Sequence, residues 1–145
     1  DKQVPEGWYK IDSINPNSDF HLSLRINYPN RADSIRSQNE LDPGGDIFIH
    51  GNCYSVGCMP IEDEPMEELF WLVVQNLHAN SLQDISVLIL PFDLQNNEQY
   101  LKYTSKYSNL IPFWEQIKSI QLYFDELGDL PDVFINDQGE YLINY

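Results

Sequence analysis

His50 and Cys58 are the residues of this chain whose types and spacing best suit covalent chemistry. A cysteine nucleophile needs a base to take the thiol proton and N–H donors for the charge that develops on the attacked carbonyl. The segment Ile47-Phe-Ile-His50-Gly-Asn-Cys53-Tyr-Ser55-Val-Gly57-Cys58-Met-Pro-Ile61 offers each of these. The histidine closes an apolar run. Ser55-Val-Gly57 reads as a tight turn whose consecutive N–H groups can hold an oxyanion. An imidazole beside the thiol raises the thiolate fraction. With its second nitrogen held by an acceptor such as a backbone carbonyl, it can act as a general base.

Other readings of the same residues stay open. Most free cysteines are small buried apolar residues, and a histidine at a strand end often just bonds a backbone carbonyl. His50, Cys53 and Cys58 spell H-x2-C-x4-C, three of the four ligands a structural zinc wants. The usual second ligand pair is missing, so His21 or His78 would have to complete the set through folding. A Cys53–Cys58 disulfide would instead mask the thiol. The acids Glu62, Asp63, Glu64, Glu67 and Glu68 are explained by the preference of carboxylates for a helix start. Arg25, Arg31 and Arg36 offer a clamp for a substrate carboxylate, or ordinary surface pairing with the many acids.

The 145 residues are most simply one domain, 1–145, large enough to bury a core. Hydrophobic residues at 42% and aromatics at 13% argue against disorder. A formal net charge of −15 excludes a nucleic-acid partner of the ordinary basic-surface kind and disfavours an anionic lipid surface. No run has the length of a membrane span. The chain starts at Asp1 without an initiator methionine, so a signal segment is expected to have been removed.

The elements that must position His50 and Cys58 follow from periodicity. Trp8–Ile11 follows the Pro5-Glu-Gly7 turn as a short strand. Phe20, Leu22, Leu24 and Ile26 alternate with His21, Ser23 and Arg25, which predicts a half-buried strand with the apolar set inside. Tyr28–Asp33 breaks it, and polar residues Ser34 to Glu40 with the Pro43-Gly-Gly45 turn lead to a strand at Asp46–His50. Asp63 as N-cap and Pro65 in the first turn open an amphipathic helix over 64–78, built on Met66, Leu69, Phe70, Val73 and Leu77. Ile85–Leu90 reads as a buried strand. Helices follow over 97–106 and 112–127, the latter burying Phe113, Ile117, Ile120 and Phe124. Asp132–Ile135, the turn through Gly139 and Glu140–Asn144 make a hairpin. Strands, then helices, then strands give an α+β domain.

Recognition adds to this. His50-Gly…Ser55-Val-Gly57-Cys58 resembles the H-G…S-x-G-C signature of L,D-transpeptidase catalytic domains, the YkuD or ErfK-like family. Val4-Pro-Glu-Gly-Trp-Tyr9 looks like that family's T-P-x-G-x-[FY] turn and strand, with Val4 for Thr. The short gap from histidine to cysteine resembles the YafK-like branch, whose motif runs H-G-N-C-x-S-x-G-C. Asn15–Ser23, Tyr28-Pro-Asn30, Phe113-Trp, Tyr123-Phe124, Pro131-Asp-Val and Gly139-Glu-Tyr141 match that branch in order.

The resemblance implies a YkuD-like mixed, sandwich-like β core with peripheral helices, and further family strands upstream of Asp1. It implies cysteine acyl transfer on peptidoglycan stem peptides through a thioester, outside the cytoplasm of a bacterium, with no cofactor and no metal. A peptidoglycan-attached protein is a further partner. Carried over by position, Cys58 is the nucleophile and His50 the base. The Gly51 carbonyl orients His50, and the Gly57 and Cys58 N–H groups face the oxyanion. Ser55 shapes the loop, while His21, Arg25 and Tyr28 are assigned to the substrate side. The chain departs from the family at Pro60, where most members carry Arg or Asn, and in its short histidine-to-cysteine segment. Both touch substrate and acceptor contacts. Hydrolysis of the same thioester, as a carboxypeptidase or amidase, is therefore the alternative reaction. A catalytically inactive peptidoglycan-binding domain is the third reading.

Overall fold

The structure, a computed structural model, describes residues 3–37, 44–77 and 85–144. His78, Glu40 and Pro43, which figure in the zinc, loop and turn expectations, lie outside them. The fold is α+β, and its chain divides into two compact units, Asp1–Tyr28 with Gly44–Val87 and Pro29–Pro43 with Leu88–Tyr145.

The first unit is built on a sheet. Strands β1 (Gly7–Ser18), β2 (His21–Ile26), β3 (Phe48–His50), β4 (Met59–Pro60) and β5 (Ser86–Ile89) lie in the order β4-β3-β2-β1-β5. The division between the units falls within β5. β1 pairs with β2 and β2 with β3 antiparallel, while β3 and β4 run parallel, so the sheet is mixed. Trp8, Tyr9, Ile11, Leu24 and Ile26 bury almost completely. Each such side chain contributes roughly 1.5–3 kcal/mol of burial free energy. Helix α2 (Asp63–Leu77) packs on β2 and β3 and closes this core with Met66 and Val73.

β1 runs well past the short strand expected at Trp8–Ile11. It accommodates Asn15-Pro-Asn because its register shifts between Asn15 and Ser18, where a residue without an N–H costs no ladder bond. Pairing of Ser18 with His21 leaves Asp19-Phe20 as the hairpin tip. Phe20 therefore stands in a turn, 44% exposed, and not in the core with Leu24 and Ile26. Ser23 is buried instead, at 3% exposure.

The second unit is helical, with one hairpin. The break after Ile26 turns out to start helix α1 (Arg31–Arg36). Asn30 caps it: its side chain accepts from Ala32 and Asp33, and Asp33 accepts from the Asn30 N–H, a capping box. Helix α3 (Asn97–Lys106) has the expected bounds and is capped by Asn96. A 3-10 turn at Ser108–Leu110 leads to α4 (Ile111–Leu127), which has Pro112 in its first turn and ends at Gly128 with φ 67°. The buried stripe of α4 is Trp114, Ile117 and Ile120; Phe124, expected inside, is 47% exposed in the helix's last turns. β6 (Asp132–Ile135) and β7 (Tyr141–Asn144) form the expected hairpin, and α4 packs on β7. Buried Asn30 donates its Nδ2–H to the Tyr141 hydroxyl at 3.0 Å, tying α1 to that hairpin. Arg36 donates to the Gly139 carbonyl and lies 4.1 Å over the Phe113 ring.

Candidate active site

Two short strands set the site. β3 carries His50 at its end, and β4 starts at Met59, directly after Cys58. The parallel pairs Ile49–Met59 and His50–Pro60, with the Ile61 N–H on the His50 carbonyl at 3.0 Å, hold both ends of the intervening loop against the sheet. β4 is too short for its periodicity to be read from sequence, yet it fixes where the thiol lies.

His50 is buried, 3% exposed, and its Nδ1 lies 2.6 Å from the Gly51 carbonyl oxygen. A carbonyl can only accept, so Nδ1 carries a proton, and in the neutral imidazole it is Nε2 that has the lone pair a base requires. The Phe20 ring covers the imidazole at 4.8 Å between centroids. Gly51 has no room for a side chain: a Cβ there would lie 2.7 Å from Asp63 Oδ1, 2.8 Å from the Phe20 carbonyl and 2.9 Å from His21 Cβ. The Gly51 N–H donates to the Leu22 carbonyl, so backbone bonds fix the residue that orients the histidine.

Cys58 is partly exposed, and its thiol donates to the Asp46 carbonyl at 3.7 Å. Ser55 donates its hydroxyl to the Cys58 carbonyl at 2.8 Å, closing the turn. Gly57 sits at φ 111°, a conformation that side chains strongly disfavour. Asp63, expected as a helix cap, is the first residue of α2, and its carboxylate accepts the Asn52 N–H at 2.6 Å. The acidic helix start thus also holds the loop that leaves His50.

His50, Ser55 and Cys58 line one cleft of about 570 Å³. Its other walls are Asn15, Ser18, Asp19, Phe20, Ser23, Phe48, Tyr54 and Val56. Tyr54 and Val56 are each 75% exposed at its mouth. Sequence reasoning missed these walls. Alternation places Phe20 in the core, and the signal against it is the run Asn15-Pro-Asn-Ser-Asp, which favours a turn close by.

Three residues assigned to the substrate side are not among the cleft walls. His21, at φ 74°, directs Nε2 to Glu67 at 2.7 Å. Arg25 grips Asp12 through Nε at 2.9 Å and Nη2 at 3.3 Å, with Asp46 at 3.5 Å. The Asp12 carboxylate holds its guanidinium pKa above the ordinary value. Tyr28 packs edge-on against Tyr9. Cys53 and Cys58 are both free thiols, and Cys53 is exposed. Among the described residues, no three His, Cys, Asp or Glu side chains gather as a metal site.

The α+β fold and a cleft walled by His50, Ser55 and Cys58 agree with the expected resemblance to L,D-transpeptidase domains. Over 99% of its length the chain is 29% identical to "Putative L,D-transpeptidase YafK" of Escherichia coli strain K12, and equally to the protein of that name from Escherichia coli O157:H7. That likeness, modest in identity, supports the YafK-like branch of the family. The match covers 56% of each, so the chain spans about half the length of the curated relatives it matches. No protein-family model matches the chain. Among solved structures, "Structure of Bdellovibrio bacteriovorus Bd1075" aligns at TM-score 0.45 and 22% identity, over 86% of this chain and 49% of that one.

Proposed function

We propose that this domain is a cysteine acyltransferase acting on peptidoglycan stem peptides outside the cytoplasm. One observation carries the reading: Cys58 and a His50 whose Nδ1–H is bonded to Gly51 line a single cleft. The likeness to a putative L,D-transpeptidase supports peptidoglycan as the substrate class.

In this reading His50 Nε2 takes the Cys58 proton, and the thiolate attacks a stem-peptide carbonyl carbon. The Gly57 and Cys58 N–H groups stabilise the oxyanion. The C–N bond breaks, the leaving amine takes the proton from His50, and a thioester remains on Cys58. An incoming amine then gives its proton to His50 and attacks the thioester; the C–S bond breaks and a new amide forms. With water as the acceptor, the product is a free carboxylate. A muropeptide incubation followed by mass spectrometry of protein and products tests the proposal. An acyl adduct on Cys58, lost in Cys58→Ala with the fold retained, is expected. Turnover by Cys58→Ala would overturn it.

A further inference from the structure

The cleft is selective in charge. Of the eight Lys and Arg residues of the chain, none of the described ones lines it. The three arginines are engaged elsewhere: Arg25 with Asp12, Arg31 with Asp137 at 2.6 Å, and Arg36 with the Gly139 carbonyl. The remaining polar walls, Asn15, Ser18, Ser23 and Ser55, are uncharged, and the His50 Nδ1 is taken up by the Gly51 carbonyl. Asp19 is the one Asp, Glu, Lys or Arg among the described walls. It stands at the tip of the β1–β2 hairpin, beside the Phe20 that covers the histidine. The tip is held in shape by the Phe20 N–H on Ser18 Oγ at 3.1 Å.

A substrate carboxylate entering this cleft would find no lysine or arginine among its described walls and would meet both Asp19 and the field of a chain of net charge −15. An ammonium group would find a partner and a favourable field. We propose that Asp19 recognises a non-reacting ammonium group on the acyl-donor peptide, so that the site selects donors by a positive charge and not by a terminal carboxylate. An attacking amine must be unprotonated to react, so the ammonium held by Asp19 is a different group from the acceptor. The proposal rests on the acyl-transfer reading above and names the chemistry of its donor.

The test is the rate of thioester formation on Cys58 without acceptor, followed by intact-protein mass. Two donor stems are compared, identical except that one has its side-chain amine free and the other has it acetylated. Wild type is expected to acylate at lower concentrations of the free-amine stem, by about fivefold for a solvent-accessible ion pair. That preference should shrink as salt is raised. It should vanish in Asp19→Asn and reverse in Asp19→Lys. Equal use of both stems by the wild-type protein, or a preference that survives Asp19→Asn, would overturn the role of Asp19. Acylation of Cys58 by either stem leaves the underlying reaction standing, so the two failures are distinct. Absence of any adduct from both stems removes the reaction and the inference together.

Discussion

The two units of the molecule handle conformational strain differently. Among the described residues, every non-glycine with positive φ belongs to the sheet unit: His21, Asp46, Asn52 and Glu62. All four border the site. His21 follows Phe20, Asp46 accepts from the thiol, Asn52 follows Gly51, and Glu62 donates its N–H to Asn52. Each such conformation costs on the order of 1 kcal/mol. In the helical unit the positive-φ positions are glycines, Gly128 and Gly139, and the local bonds are satisfied by a capping box and a buried Asn30–Tyr141 pair. The contrast teaches where this sequence specifies stability and where it specifies shape. Strain is retained around the cleft, where a bent backbone aims groups at one another.

That contrast can be broken at several points. The largest effect is expected at the base: His50→Gln should lower the acylation rate by about 10²–10⁴-fold, the range for losing a general base, with the melting transition largely kept. A rate within a few fold of wild type would remove His50 from the mechanism. Ile117→Ala, in the fully buried stripe of α4, should instead cost about 2–5 kcal/mol of stability by urea unfolding. Acylation by the folded fraction should stay near wild type. Asn30→Ala should cost about 1–2 kcal/mol, since it removes the α1 cap. It also leaves the Tyr141 hydroxyl without this donor.

The smallest effect is a pH dependence in the helical unit. Tyr100 donates its hydroxyl to Glu115, and that bond, with burial and the nearby carboxylate charge, raises its pKa from 10.0 to about 12. A raised folded-state pKa favours the protonated form. The contribution is therefore complete below pH 10 and is lost as the pH rises through about 12. The stability difference between wild type and Tyr100→Phe should be constant up to pH 10 and shrink beyond it. A difference that grows with pH in that window would contradict the assignment.

The proposed reacting pair could be named from sequence because both residues and their turn lie in one contiguous stretch that resembles the family motif. The long helices were legible because their apolar period extends over several turns, as in α2 and α4. What failed did so where tertiary geometry overrides pattern. Phe20 has the right parity for the core, yet a two-residue turn places it over His50. Arg25 has the right chemistry for a substrate carboxylate, but Asp12 lies across the β1–β2 ladder and takes it first. The six residues of α1 were hidden behind the Tyr28-Pro break. Asn30 followed three positions later by Asp33 was nonetheless a cap signal in plain view.

The account stands or falls on the thiol. Purified muropeptides incubated with the protein, followed by intact and peptide-level mass spectrometry, should show an acyl adduct on Cys58 and none on Cys53. Cys58→Ala should show neither adduct nor product while keeping its fold. Product formation by Cys58→Ala, or an adduct confined to Cys53, would contradict it.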